Sequence, residues 1–397
     1  FDKNTFPDAR NKYPIHKKNK VIMQDEEGPI SFHSKEEKNE RHPKEMLDQV
    51  MHFIYSGQFD LEHLNKKFYK KNFSILGMAK LDLIKNKKIY YNEVKKIKKK
   101  YKNFIFIPGH SNHYDMNKTI LQKYSKYTFN IDEHLKKRMS DHQKSRNNYY
   151  ALLELAIKLA KQNPNINIIF RRHPTENEDF IKKKFKNCPN NLKFIYKYTV
   201  TPWIIACDYY LHAGCQSVLE AACLKKRIIT YMPFNYGGAE NFKNFSPFFI
   251  TENKIINFFD KGNFKIIKFY KVKNLTKIIY NLKDNNFFYQ GFIKLLNNKF
   301  NKLNSFYAFK KKTSLKSPLS IFLPFMLWIK KIMQKNILLS KFLPVGHLVT
   351  KAEKLQKFKD LKKNEIMNWL SIFNKTTKSK HLISVKKLSK ATFLLYK

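Results

Sequence analysis

Short apolar runs rich in β-branched and aromatic residues alternate with longer stretches of helical spacing over about the first 275 residues. "KVIMQ" (20–24) predicts a strand that runs into the acidic turn "DEEG". "PKEMLDQVMHFIYSG" (43–57) has helical spacing and a glycine stop, and "FSILGM" (73–78) predicts another short strand. "NEVKKIKKKYK" (92–102) predicts a charged helix carrying the chain between domains. The pattern then sharpens. "NFIFIPGHSN" (103–112) predicts a strand entering a polar loop, "RNNYYALLELAIKLAKQNP" (146–164) an amphipathic helix, and "INIIFRRHP" (166–174) the next strand. "NLKFIYK" (191–197) predicts a third strand, followed by a short helix in "TPWIIACD", a strand in "YYLH", the loop "AGCQ", a helix in "SVLEAACLKK" and a strand in "RIITYMP" (227–233).

Strands separated by helices imply a parallel sheet with right-handed crossovers, hence an α/β fold with a Rossmann-like domain. Three regions follow: residues 1–90 as a partial first Rossmann-like domain, 91–280 as a second, and 281–397 as a lysine-rich helical extension. In that extension, "LSIFLPFMLWIKKIMQ" (319–334) reads equally as a helix packed on the catalytic domains or as an interfacial anchor on an anionic membrane. The first residue is Phe1, without a signal-peptide pattern behind it, so a fragment whose start is missing is expected.

Composition changes this picture little. The formal net charge of +47 would ordinarily point to nucleic acid or an anionic membrane. Lysine supplies nearly all of it and is spread from end to end, while arginine, the usual phosphate reader, occurs seven times. A dedicated nucleic-acid partner is therefore not expected. Cys188, Cys207, Cys215 and Cys223 have neither CxxC nor metal-site spacing and fit a reducing cytoplasm. No run reaches the roughly 18 apolar residues of a spanning helix, so the chain is expected in the cytoplasm, or peripherally on the inner face of the plasma membrane.

Candidate chemistry collects in three places. In an open parallel sheet, ligands bind beyond the carboxyl ends of the strands. "IIFRRHPTE" puts Arg171, Arg172, His173, Pro174 and Glu176 at such an end: arginines suit a phosphate, and a histidine beside it can donate a proton as negative charge develops. "HAGCQSVLEAA" (212–222) offers Gly214 for a tight turn, Gln216, Ser217 at a helix start, and Glu220 one turn later, where a carboxylate could hold ribose hydroxyls. Gly109 and Ser111, in "GHSN", lie at an adjacent strand end. The third place is "QDEEGPI" (24–30), where successive carboxylates repel one another, so one could have a raised pKa and act as a base, with Gly28 turning the chain. The plain alternatives are a solvated strand end, an N-cap and an acidic surface turn. No G-x-S-x-G, G-x-G-x-x-G or P-loop pattern occurs, and neither a DxD nor a histidine cluster suggests a metal.

The order of an acidic D/E-D/E-G turn, an HP dipeptide after a strand and a serine loop opening a later helix resembles the GT-B glycosyltransferases that use CMP-activated acidic sugars, the bacterial sialyltransferase type. "DEEG", "ILGMAKLDLI", "NFIFIPGHSN", "RRHPTEN" and "HAGCQSVLEAACLKKRIITYMP" resemble more closely the bacterial surface carbohydrate biosynthesis proteins, over roughly residues 20 to 250. This resemblance implies a GT-B-like pair of Rossmann-like domains, the N-terminal one truncated. It implies a metal-free transfer of a sugar from a nucleotide-sugar donor, CMP-linked, to a glycan or lipid-linked acceptor, with no cofactor besides the donor. By the same resemblance Glu26 is the general base, with Asp25 or Glu27 as alternatives in a turn that has one extra acid. His173 stabilises or protonates the departing phosphate, Ser217 hydrogen-bonds it, and Glu220 is a weaker match for the ribose. Two rivals stand beside this: a nucleotide-sugar 2-epimerase or CDP-glycerol-type polyol-phosphate transferase of related fold, and a non-catalytic basic protein binding membrane or RNA.

Overall fold

The computed structural model describes residues 22–24, 52–63, 73–109, 131–173, 176, 178–236, 242, 245, 247–260, 275–282, 285–300, 367, 371, 384–387 and 393–396. The chain divides into two compact units, residues 1–289 with 360–397, and residues 290–359. The first unit holds two parallel sheets, in keeping with the α/β class predicted from the alternating pattern.

The smaller sheet has β1 (Ile22–Gln24), β2 (His52–Tyr55) and β3 (Phe73–Ile75) side by side in chain order, all parallel. Helices α1 (Gln58–His63), α2 (Ala79–Lys85) and α3 (Tyr91–Tyr101) follow β2, β3 and a short turn of 3-10 helix. The larger sheet contains β4 (Phe104–Pro108), β5 (Asn167–Arg171), β6 (Leu192–Ile195), β7 (Tyr209–His212), β8 (Arg227–Tyr231) and β9 (Phe248–Phe249), in the order β6-β5-β4-β7-β8-β9. Counted from β4 this is 3-2-1-4-5-6, the doubly wound order, and every pairing is parallel. Its connecting helices are α4 (Ile131–Gln162), α5 (Glu178–Lys184), α6 (Val200–Ala206) and α7 (Val218–Cys223); α8 (Glu252–Asp260), α9 (Leu275–Ile278) and α10 (Phe288–Phe300) come after β9.

Alternation along each strand splits the core in two. Phe104, Phe106, Ile169, Tyr210 and Ile228 pack with Ile97, Tyr101, Trp203 and Ile204 on one face. Ile105, Ile107, Ile168, Phe170, Leu211 and Ile229 pack on the other with Leu152, Leu153, Ala156 and Leu159 of α4 and with Ile255 and Phe259 of α8. Met78, Leu81 and Ile84 belong to the first of these clusters, so α2 joins the smaller sheet to the larger.

Three boundaries depart from the pattern. The helix predicted over 43–57 is, in its described part, the central strand β2: "HFIY" is buried along its whole length between two parallel neighbours. A short run buried at every position does not distinguish strand from helix by periodicity. Gly57 is no helix stop there. A side chain at that position would strike the carbonyls of Lys277 and Ile278, so the glycine permits a close backbone crossing. Helix α4 begins at Ile131, well before the predicted Arg146, and the C-terminal region also contains an antiparallel pair, Ser384–Lys387 with Phe393–Tyr396. Residues 319–334 lie outside the described ones. Among the described residues no helix is long and apolar enough to cross a membrane.

After α9 the chain returns to the smaller sheet. Tyr280 N–H donates to the Ser56 carbonyl at 2.8 Å. The fully buried Asn281 accepts from Met78 N–H and donates to the Met78 carbonyl, both at 2.9 Å, and donates to Asp82 at 2.9 Å. Asp82 in turn accepts from the N–H groups of Phe288 and Tyr289, 3.0 and 2.9 Å away, at the start of α10, where a carboxylate suits the helix dipole. Gly77, at φ +89, leaves the space that Asn281 fills. Replacing Asn281 by Ala strands both polar groups of a buried residue, and urea denaturation is expected to show a loss of about 1–3 kcal/mol for each group left without a partner.

Candidate functional site

The register places the carboxyl ends of β5, β4 and β7 side by side. Pro108 pairs with Arg171, and Phe106 pairs with Tyr210, which carries Pro108 level with His212 one step further on. Between β4 and β7 the strand order reverses, which is where the crevice of a doubly wound sheet opens. Gly109, the segment 171–176 and the loop 213–217 leave the sheet at this edge.

Glu176 organises the middle loop. It is 1% exposed, and its carboxylate accepts from Tyr149 of α4 at one oxygen and from the His173 backbone N–H at the other. Glu176 N–H returns a bond to the His173 carbonyl at 3.1 Å, and Arg172 donates to the Glu176 carbonyl at 2.9 Å. Gly109 lies against this knot: a Cβ there would collide with the Glu176 carboxylate and the His173 nitrogen. Its N–H donates to the Arg171 carbonyl at 2.7 Å, which continues the β4–β5 ladder into the loop. His173 is thereby held in place through its main chain while its residue stays partly exposed. Burial and the adjacent Glu176 raise the Tyr149 hydroxyl well above its ordinary range, so it stays a neutral donor.

Arg171 points its guanidinium at the Tyr198 carbonyl, at 2.6 and 3.2 Å, and Arg172 stacks over the Tyr196 ring at 4.1 Å. Desolvation lowers the Arg171 pKa, opposed by the nearby side chains of Tyr196, Cys215, Glu176 and Glu220. An arginine so placed is still a cation at neutral pH. The same neighbours show that the β5 end and the loop after β7 share one electrostatic environment.

The loop after β7 hangs on His212, which is fully buried. Its Nδ1 accepts from Gly214 N–H at 3.1 Å and Cys215 N–H at 3.3 Å. With Nδ1 accepting, the proton sits on Nε2 and is donated to Thr230 Oγ1 at 2.9 Å. Gly214 takes φ +91, and an added Cβ would lie 2.8 Å from the Tyr236 hydroxyl, so both conformation and space require glycine. Gln216 lies half-buried in the turn, its carbonyl accepting from Leu219 N–H at 3.2 Å. Ser217 stands at the start of α7 as expected, yet its hydroxyl does not cap the helix. It meets the Tyr210 hydroxyl at 2.6 Å and the Cys215 sulfur at 3.0 Å. Glu220 is buried between elements: it accepts from Thr201 Oγ1 at 2.7 Å and lies 3.8 Å from the Lys80 ammonium of α2.

Asp25, Glu26, Gly28, Ser111 and Pro174 lie outside the described residues. Gln24, just before the acidic turn, is fully buried and donates to the Gly77 carbonyl at 2.6 Å. Sequence reasoning missed Tyr149, His212 and Tyr210. Each left a signal: a tyrosine on the apolar face of an amphipathic helix needs a partner for its hydroxyl, and a histidine closing an apolar strand before "AGC" needs partners at both nitrogens.

No protein-family model matches the sequence, and no curated protein matches it. Solved structures with a similar course include the UDP-GlcNAc 2-epimerase of Methanocaldococcus jannaschii with UDP-GlcNAc and UDP, at 14% identity over 56% of this chain and 57% of that one, TM-score 0.36. The wall teichoic acid polymerase TagF aligns at 12% identity over 67% and 61% of the two chains, TM-score 0.40. The Neisseria meningitidis UDP-GlcNAc 2-epimerase bound to UDP-GlcNAc aligns at 13% identity over 66% and 64%, TM-score 0.42. The chain thus spans 57%, 61% and 64% of the lengths of these three proteins.

Two outcomes test the geometry without reference to any substrate. Gly109→Ala pushes a methyl group into the Glu176 knot and is expected to cost about 1–3 kcal/mol in urea denaturation. Burial raises the Cys215 thiol above its usual pKa, so little thiolate exists near neutrality. In the folded protein, alkylation of Cys215 followed by mass spectrometry should be slow at neutral pH, and should become fast only in denaturant or well into the alkaline range.

Proposed function

We propose that the chain is a glycosyltransferase of bacterial surface polysaccharide synthesis, of GT-B type, moving an acidic sugar from a CMP-activated donor to a hydroxyl of a glycan or lipid-linked acceptor. The observation that carries the reading is the gathering of Gly109, the 171–176 loop and the 213–217 loop at the strand-order reversal of the larger sheet. The donor phosphate would lie at this edge. Arg171 supplies positive charge, and His173, fixed by Glu176 and Tyr149, supplies a proton or hydrogen bond. Ser217 adds a hydroxyl already ordered by Tyr210.

In this mechanism Glu26, or Asp25 beside it, takes the proton of the acceptor hydroxyl. The acceptor oxygen forms its bond to the anomeric carbon as the bond from that carbon to the phosphate oxygen breaks. The electron pair leaves with CMP, and the charge it carries is met by His173 and Arg171 in a site already arranged for it. Arg172 and Glu176 act on the loop rather than on the donor. No cofactor besides the donor takes part, and the partners are the donor and the acceptor.

Separate incubations with a CMP-sugar, a UDP-sugar and CDP-glycerol are expected to show turnover of the first. Epimerisation of the UDP-sugar or transfer from CDP-glycerol would move the chain to another enzyme class. His173→Ala and Glu26→Ala should each slow transfer by about 10²–10⁴-fold while donor affinity in calorimetry changes far less. Variants as active as the parent would remove both residues from the mechanism.

A further inference from the structure

Lysine is common throughout the chain, yet nowhere in the described part of the first unit is it as dense as in "KKIYYNEVKKIKKKYK" (87–102), which has eight lysines and one acid in sixteen residues. Helix α3 spans most of this stretch. It buries Ile97 and Tyr101 against the core, where Tyr101 meets Trp203 at 5.7 Å between ring centroids. The opposite face, at helical spacing, presents Tyr91, Lys95, Lys99 and Lys102, flanked by Lys96 and Lys98, all exposed. The helix dipole accounts for cations in the last turn, Lys98 to Lys100, but not for Lys87 and Lys88 in the turn before the helix or Lys95 and Lys96 in its middle. Tyr91 is 62% exposed, with the Lys95 ammonium 5.9 Å from its ring.

We propose that this face of α3 docks the protein on an anionic phospholipid surface. The chemistry favours a bilayer over RNA. The stretch has no arginine, whose planar fork suits phosphodiester recognition, and it offers ammonium groups with one exposed tyrosine, a residue suited to the headgroup layer. The apolar side of the helix is occupied by the core, so attachment is electrostatic, without insertion, and falls away with salt. The chain passes from Tyr101 into β4 within three residues, so Lys98 to Lys102 lie at the amino edge of the larger sheet. The loops at Gly109, His173 and Ser217 leave the opposite edge.

The inference does not depend on the donor or the reaction. It is tested by sedimenting the full chain with vesicles of phosphatidylcholine alone and of phosphatidylcholine with phosphatidylglycerol, at low and raised salt. Binding is expected only to the anionic vesicles and only at low salt. The triple variant Lys95→Gln, Lys96→Gln, Lys99→Gln should weaken it on the order of a hundredfold, with helix content unchanged by circular dichroism. A control that removes the same charge elsewhere, Lys183→Gln, Lys186→Gln, Lys193→Gln, should weaken it by less than about threefold. Equal losses in the two variants, binding to neutral vesicles, or tighter binding to RNA than to anionic vesicles in the parallel titration would each overturn the proposal.

Discussion

A carboxylate almost sealed from water has to be met at both oxygens, and Glu176 shows what that requirement imposes. One oxygen engages Tyr149 on a long helix behind the sheet; the other engages the backbone of His173 on the loop in front. Those bonds fix the path of the chain as it leaves β5, and they leave no room for a side chain at residue 109 of the neighbouring strand. Three elements are thereby positioned by one buried acid. The loop it shapes carries the histidine on which the proposed chemistry turns.

The same economy appears on the far side of the crevice. His212 uses both ring nitrogens to bind its own loop and the next strand, so it is spent on architecture rather than on a ligand. Ser217 is held by Tyr210 from the strand beneath it. Glu220, buried with Thr201 and facing Lys80, sits where α2, α6 and α7 meet, and couples the helix after the smaller sheet to the helix after β7.

Much of this was legible in the sequence because parallel strands of a buried sheet are short, apolar and separated by helices. The runs at 103–108, 166–171, 191–195, 209–212 and 227–231 announce themselves, and the carboxyl-edge rule then gives Arg171, His173 and Gly214 their address. "HFIY" was not legible, since a histidine and three apolar residues buried in a row have the same periodicity in either state until their neighbours are known. The work assigned to polar groups was also hidden. Glu176 reads as a ligand contact and Ser217 as a cap when only adjacent residues are seen, but their partners, Tyr149 and Tyr210, come from other elements. Hydrogen bonds between residues distant in sequence are set by packing, which periodicity does not encode.

The clasp between Asn281 and Met78 bridges 203 positions of the chain. During synthesis the strand-and-helix pieces of the first 100 residues emerge long before their last hydrogen-bonding partner exists, and the larger sheet has all its strands by residue 249. The bonds from Met78 and Asp82 to Asn281, Phe288 and Tyr289 therefore form only after every strand of the larger sheet has been made. Until then a newly made chain holds the N–H and carbonyl of Met78 without the side chain that later satisfies them both.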